Sequence, residues 1–301
     1  HMAKDIPKAT YLKDYRPPAY LVEQVELHFD LQPQDTIVAA DLLMRRNADH
    51  GDDQAALRLD GEDMELVSLS VNGTELSGSE FFVDQGGLSI AAVPELFRLN
   101  IVTKIAPAGN TSLEGLYQSD GIFCTQCEAE GFRRITYFPD RPDVMTTYRV
   151  TIRAAKAACP ILLSNGNLVD SGDLDNGRHY AIWDDPFPKP SYLFALVAGD
   201  LHWLEDGFVT QSGRQVALRI YTDPGNEGRC GYAMDALKRS MRWDEEKYGL
   251  EYDLDLFNVV AINDFNMGAM ENKSLNVFNA KYVLADPETA SDDDYANIES
   301  I

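Results

Sequence analysis

Val25-Glu26-Leu27-His28-Phe29-Asp30-Leu31 alternates apolar and polar side chains without a break. A period of two marks a strand with one face in a core and the other toward water. Gln32-Pro33-Gln34-Asp35 supplies turn chemistry, and a second apolar run follows from Thr36 to Met44. Further along, Val67, Leu69 and Val71 alternate with Ser68 and Ser70 and stop at Asn72-Gly73, a dipeptide suited to a tight hairpin. Phe97, Leu99 and Ile101 carry the pattern on to Ile105. The longest apolar run, Tyr192 to Ala198, has the length of a buried strand. Strands at this spacing, punctuated by Gly and Pro, predict an antiparallel β-saddle or sandwich rather than a βαβ fold.

The pattern changes near residue 200. Pro186-Phe187-Pro188-Lys189-Pro190 breaks the supply of backbone donors and predicts an irregular link rather than a central strand. Between about Glu227 and Tyr248, Cys230, Ala233, Met234, Leu237 and Met241 fall three and four apart, which predicts a helix with Gly249 as its stop. Ser291-Asp292-Asp293-Asp294 fits a capping box and predicts a helix start near 292, with Tyr295, Ile298 and Ile301 opening an apolar stripe. The expected organisation is mainly β over residues 8–200, then an incomplete second domain over 201–301.

Composition bounds the function. With 45% hydrophobic residues among 301, the chain can bury a substantial core. A net charge of −23 leaves no cationic stripe for phosphates and speaks against nucleic acid. No apolar run approaches the roughly 18 residues that span a bilayer, so no membrane partner is expected. Four cysteines in so long a chain fit a reducing compartment, and the expectation is a cytoplasmic monomer.

Several motifs fail on inspection. Cys124-Thr125-Gln126-Cys127 has the C-x-x-C form, yet Cys159 and Cys230 stand alone and no βαβ unit precedes the pair, which favours structural thiols. A zinc module built on Cys124 and Cys127 is the competing reading. None of the five histidines is followed by another four residues on, so the chain holds no H-E-x-x-H. His28, His179 and His202 read as ordinary strand or loop residues.

What remains is Asn266-Met267-Gly268-Ala269-Met270-Glu271-Asn272. Gly268 and Ala269 carry almost no side chain, so another backbone can approach and pair by β-addition. Glu271 then sets a negative charge beside that approaching chain. A solvated Glu on a small-residue turn is the plain alternative.

Gly268 to Asn272 resembles the exopeptidase motif of the zinc aminopeptidases of the aminopeptidase N family. The likeness extends over Ala108 to Tyr117, Thr125 to Arg133, Asp140 to Val144, Leu163 to Asn167 and Ser191 to Gly199. So many matches in one order cover nearly the whole chain, and the bacterial cytosolic branch is the most similar. The resemblance implies an N-terminal β-saddle domain followed by the first, β-rich part of a thermolysin-like α+β catalytic domain. It implies that Glu271 and Glu128 bind the substrate ammonium and that Asn272 supports the motif. Gly268 and Ala269 would offer backbone contacts, Gln126 and Met267 would wall the first side-chain pocket, and Met270 completes the substrate-binding set. The Glu128-Ala129 bond is expected to be cis.

The metal ligands and catalytic residues of such enzymes would lie beyond Ile301. No residue of this chain is therefore assigned as catalytic or metal-binding, and no zinc is expected on it. The implied parent is a broad-specificity zinc metalloaminopeptidase that removes single residues from peptides with free N-termini. The alternative is a non-catalytic acidic β-module that binds peptides or protein partners.

Overall fold

The computed structural model describes residues 14–263 and 274–284, the backbone of Ala269–Met270, and Tyr295 and Ile298. In chain order its strands begin with β1 (Tyr20–Asp30), β2 (Thr36–Arg46), β3 (Leu57–Asp60), β4 (Glu65–Val71), β5 (Thr74–Glu75), β6 (Phe81–Asp84) and β7 (Gly87–Ile90). Next come β8 (Leu96–Ile105), β9 (Gly115–Ser119), β10 (Ile122–Gln126), β11 (Met145–Ala155), β12 (Ile161–Ser164), β13 (Asn167–Asp173), β14 (Arg178–Pro190) and β15 (Leu196–Gly199). The remainder is β16 (His202–Val209), β17 (Gln215–Thr222), helix α1 (Gly231–Tyr248), β18 (Leu256–Ile262), β19 (Ala269–Met270) and β20 (Leu275–Asn279).

Among the described residues the strands form four sheets. An eight-stranded sheet runs β13-β14-β11-β1-β2-β8-β4-β5, and a three-stranded one runs β3-β7-β6. A four-stranded sheet runs β12-β15-β10-β9, and a five-stranded sheet, β16-β17-β18-β20-β19, is drawn wholly from residues after 201. The chain is mainly β, as the alternating patterns predict.

The alternation of residues 25–31 buries Val25, Leu27, Phe29 and Leu31 at 3% exposure or less. Both Asn72 (φ 50°) and Gly73 (φ 82°) adopt the left-handed region, which a type I′ turn requires and which matches the twist of the flanking strands β4 and β5. Gly249 closes α1 at φ 63° and donates its N–H back to the last turn, while Glu227–Arg229 forms a separate 3₁₀ turn ahead of it.

Three expectations need correction. The eight-stranded sheet is not wholly antiparallel, because β1 and β11 pair in parallel from Gln24↔Thr147 to Asp30↔Arg153. Val67 points outward at 51% exposure, since a bulge between Leu66 and Ser68 shifts the register and turns Leu66 toward the core instead. The proline-rich stretch 186–190 is the end of β14, not a link. It follows a register shift near Thr146 and pairs with β11 through Lys189 and Pro190, while the β13 pairing of β14 ends at Asp184, so the prolines owe that ladder no donors.

The five-stranded sheet is covered on both faces. Val260, Ile262, Leu275 and Val277 join the main core of the N-terminal sheets, whereas Val259 and Ala261 pack with Met234 and Met241 of α1. Adjacent residues of one strand thus serve two cores, which explains the unbroken apolar run of β18. Tyr295 and Ile298 lie in a helical segment, and the Tyr295 ring meets that of Tyr232 on α1 with centroids 4.7 Å apart. The predicted cap at Ser291 and Asp294, and Ile301, fall outside the described residues.

Candidate peptide-terminus site

Gln126 ends β10, and its side chain is 1% exposed; its Nε2 donates to the carbonyl of Glu128 at 3.2 Å. Glu128 itself is exposed, and the peptide bond from Glu128 to Ala129 is cis, as the resemblance implies. The turn that presents Glu128 is closed by a hydrogen bond from Gly131 N–H to the Cys127 carbonyl, 2.8 Å. Gly131 sits so close to the strand end that a Cβ there would lie 2.2 Å from the Gln126 carbonyl oxygen. Only glycine fits.

Behind the turn, the buried Asp140 carboxylate accepts from Arg133 Nε at 3.0 Å and from the Ser191 hydroxyl. The Asp140 N–H in turn donates to Asp60 at 3.0 Å, and burial pushes the Asp60 carboxyl up. Arg133 also reaches Glu130 at 3.5 Å. A short loop with an exposed acid at its tip is therefore fixed at both ends.

On the other side, β19 is the edge strand of the five-stranded sheet, pairing only with β20 through Ala269↔Phe278 and Met270↔Val277 among the described residues. An edge strand offers unpaired backbone groups to an extended chain. Met267, Gly268, Glu271 and Asn272 lie outside the described residues, and Ala269 and Met270 are described by backbone alone. Their side-chain roles stay as expectations.

Two side-chain hydrogen bonds join the four-stranded sheet to the five-stranded sheet. Strands β12 and β10 both run antiparallel to β15, so they point the same way, about 10 Å apart across one intervening strand. Ser164 pairs with Leu196, and Leu196 N–H donates to Thr125 Oγ1 at 2.9 Å, which aligns the two strand ends. Gly166, two residues past Ser164, and Glu128, three past Thr125, leave the same end of this sheet. There the Gly166 N–H donates to the hydroxyl of Ser274, the residue before β20. Because β19 runs antiparallel to β20, its chain heads back toward that same end. At the opposite end of the four-stranded sheet, the Ser119 hydroxyl donates to the Asn263 carbonyl at 3.1 Å, beyond the end of β18.

Sequence reasoning singled out Gln126 and Glu128 but passed over Ser274, Gly166, Gly131 and the Arg133–Asp140 pair. Leu163 to Asn167 entered only as part of the resemblance, and nothing local to it shows that a hydroxyl reaches Gly166 from residue 274.

The cysteine pair does not form a site. Cys124 and Cys127 are 0% and 1% exposed, and burial pushes the Cys124 thiol up to about 12 and that of Cys127 well above its usual value. A redox or metal-binding thiol needs the opposite shift. Among the described residues no three His, Cys, Asp or Glu side chains gather as a metal-ligand set.

Comparisons with known proteins converge. The Peptidase M1 N-terminal domain profile matches residues 24–193, and the Peptidase family M1 domain profile matches residues 232–301. Aminopeptidase N of Caulobacter vibrioides is 56% identical over 300 residues, covering 100% of this chain and 34% of that protein. Aminopeptidase N of Escherichia coli is 54% identical, over 98% of this chain and 33% of its own length. The crystal structure of Legionella pneumophila aminopeptidase A in complex with aspartic acid superposes with a TM-score of 0.92 at 37% identity, over 96% of this chain and 34% of that one. The chain spans about a third of the length of the curated relatives it matches. On the profile matched over more than half its residues, this chain belongs to peptidase family M1.

Proposed function

We propose that this chain is the amine-recognition part of a zinc metalloaminopeptidase that removes single residues from peptide N-termini. The observation that carries the reading is the shared sheet end. Glu128 leaves it from β10, Ser274 is hydrogen-bonded to Gly166 at it, and β19, which precedes Glu271 in sequence, runs antiparallel to the β20 strand that starts after Ser274. Ser274 is three residues from Glu271, a chain distance of at most roughly 10 Å.

In this reading the two carboxylates accept N–H hydrogen bonds from the α-ammonium of a peptide, and the free edge of β19 pairs with its backbone. Holding the terminus fixes which peptide bond is presented, because only the first bond lies at a set distance from the amine. A charge-assisted hydrogen bond contributes about 1.5–3 kcal/mol. A peptide whose terminus is acetylated would lose the charge and be rejected. Gln126, with Met267, walls the pocket of the first side chain, and Met267 suits side chains of different size. Zinc, when bound, activates the attacking water. Its ligands are not among the described residues here, and no step of the reading runs through this chain's own donors.

The domain limits at 8–200 and 201–301 accompany this proposal: in the described residues, the strands before residue 200 make three sheets and those after it make the fourth. Peptides with free N-termini are the proposed partners, and the net charge of −23 favours a cationic terminus over phosphate. No helix among the described residues is long and apolar enough to cross a membrane. A cytoplasmic monomer remains our proposal.

The test is kinetic. In the longer protein that contains this chain, Glu128→Gln and Glu271→Gln should each lower kcat/KM for an L-aminoacyl anilide by about 10–100-fold. Unchanged values for both variants would contradict the reading.

A further inference from the structure

We propose that the cavity between β12–β14 and β17–β18 is a binding site for a free apolar α-amino acid, separate from the peptide-terminus site. The cavity holds about 230 Å³. Leu162 of β12, Leu168 of β13 and Trp183 of β14 line one side, and Arg219 and Tyr221 of β17 and Leu256 of β18 line the other. An apolar cavity of about 150 Å³ admits benzene, so this one has room for a branched or aromatic side chain.

One wall carries polar groups without partners. Strands β17 and β18 pair in parallel through Ala217↔Leu256, Arg219↔Asn258 and Tyr221↔Val260. Side chains two apart share a face, so Asn258 stands on the face that Leu256, Arg219 and Tyr221 present to the cavity, one strand spacing (about 4.8 Å) from Arg219. Asn258 is 1% exposed, yet neither its Oδ1 nor its Nδ2 has a hydrogen-bond partner among the described residues. Arg219 is only partly engaged. Its Nη1 donates to the Tyr221 hydroxyl at 3.2 Å and its Nε stands 3.5 Å from Glu205 Oε1, which leaves Nη2 without a hydrogen bond among the described residues.

These groups match a ligand with acceptors and donors side by side. A carboxylate accepts from Arg219 Nη2 and Asn258 Nδ2, while an α-ammonium donates to Asn258 Oδ1. An α-amino acid carries both groups on one carbon, and its side chain then extends over Leu162, Trp183 and Leu256. A plain carboxylate would leave Asn258 Oδ1 unpaired, and a plain amine would leave Asn258 Nδ2 and Arg219 Nη2 unpaired. Packing alone gives no reason for Asn258, because a leucine of similar size would fill the place without burying an unpaired amide.

The experiment follows the indole N–H resonance of Trp183 in the longer protein, assigned by its loss in Trp183→Phe. Trp183 Nε1 donates to the Leu162 carbonyl at 3.0 Å, in the cavity wall. L-Leucine should shift this resonance saturably, with half-saturation at or below about 1 mM. 4-Methylpentanoate, which lacks the amine, and 3-methylbutylamine, which lacks the carboxylate, should each bind at least about ten-fold more weakly. Asn258→Leu and Arg219→Met should each weaken L-leucine at least about ten-fold, whereas Glu128→Gln should leave the titration within about two-fold. No saturable shift up to about 20 mM, equal binding of either analogue, or unchanged binding in either cavity variant overturns the site. A matching loss in Glu128→Gln would assign the shift to the peptide-terminus site and overturn the proposal as well. If a cavity variant does not fold, a crystal of the unmodified protein soaked in L-leucine decides: the amino acid bound against Arg219 and Asn258 supports the site, and its absence there overturns it.

Discussion

Arg133 donates both its main-chain N–H and its Nε to one oxygen of Asp140, at 3.3 and 3.0 Å, and so fixes the far end of the loop that presents Glu128. The Asp140 side chain is 1% exposed and the Arg133 side chain 14%. Removing Asp140 would leave the largely buried Arg133 charge with only the exposed Glu130 carboxylate, at 3.5 Å, as its ion-pair partner among the described residues. Asp140→Ala should therefore cost about 3 kcal/mol of stability in urea unfolding. A loss within about 0.5 kcal/mol, the range of ordinary surface changes, would contradict this account of the loop.

Gly131→Ala addresses the same loop from its other end. The added Cβ would meet the Gln126 carbonyl oxygen at 2.2 Å and Cys127 Cα at 2.9 Å, both backbone atoms that cannot rotate away. The turn must shift and carry Glu128 with it. Displacements of about 1 Å cost catalysts up to about 100-fold, so kcat/KM for a dipeptide should fall by at least about ten-fold. Activity equal to that of the unmodified protein would show that the turn's placement does not matter.

The C-x-x-C pair should behave as core. Iodoacetamide at pH 8 should leave Cys124 and Cys127 unlabelled in the folded protein and label all four cysteines in denaturant, because burial holds the Cys124 thiol at about 12. Rapid labelling of either residue in the native state would return the pair to the redox or metal class.

Asp84 gives a pH signature away from the site. Its two oxygens accept from Arg58 at 2.8 and 2.9 Å, and Gly86 N–H adds a third hydrogen bond. Arg58 first, and the Gly86 N–H second, hold its carboxyl at about 2, below the usual 3.8. A carboxyl depressed in the folded state stabilises above its unfolded value and loses that contribution as pH falls through the folded one. Between about pH 4 and pH 2 the unmodified protein should therefore lose more stability than Asp84→Asn. Parallel unfolding curves over that window would contradict the assignment.

Much of this molecule was legible because its strands are local objects. The period-two patterns at 25–31 and 97–105, the Asn72-Gly73 turn and the Gly249 stop each depend on neighbours within a few residues. The misreadings share the opposite property. Val67 faces out because of a bulge, and Pro186 to Pro190 extends β14 past the last β13 pairing at Asp184; both are facts about pairing with other strands. The parallel pairing of β1 with β11, some 120 residues apart, leaves no mark in either strand. The same limit holds at the site. Gln126 and Glu128 were nameable from a motif, while the hydroxyl of Ser274 meets Gly166 from 108 residues away. Only the folded chain pairs them.

The most direct measurement is a crystal structure of the longer protein with an intact peptide, or a non-hydrolysable analogue, bearing a free N-terminus. We predict that the α-nitrogen lies within about 3.2 Å of carboxylate oxygens from both Glu128 and Glu271. An α-nitrogen that contacts neither acid, in a complex with the scissile bond at the metal, would contradict the claim that these two residues grip the peptide terminus.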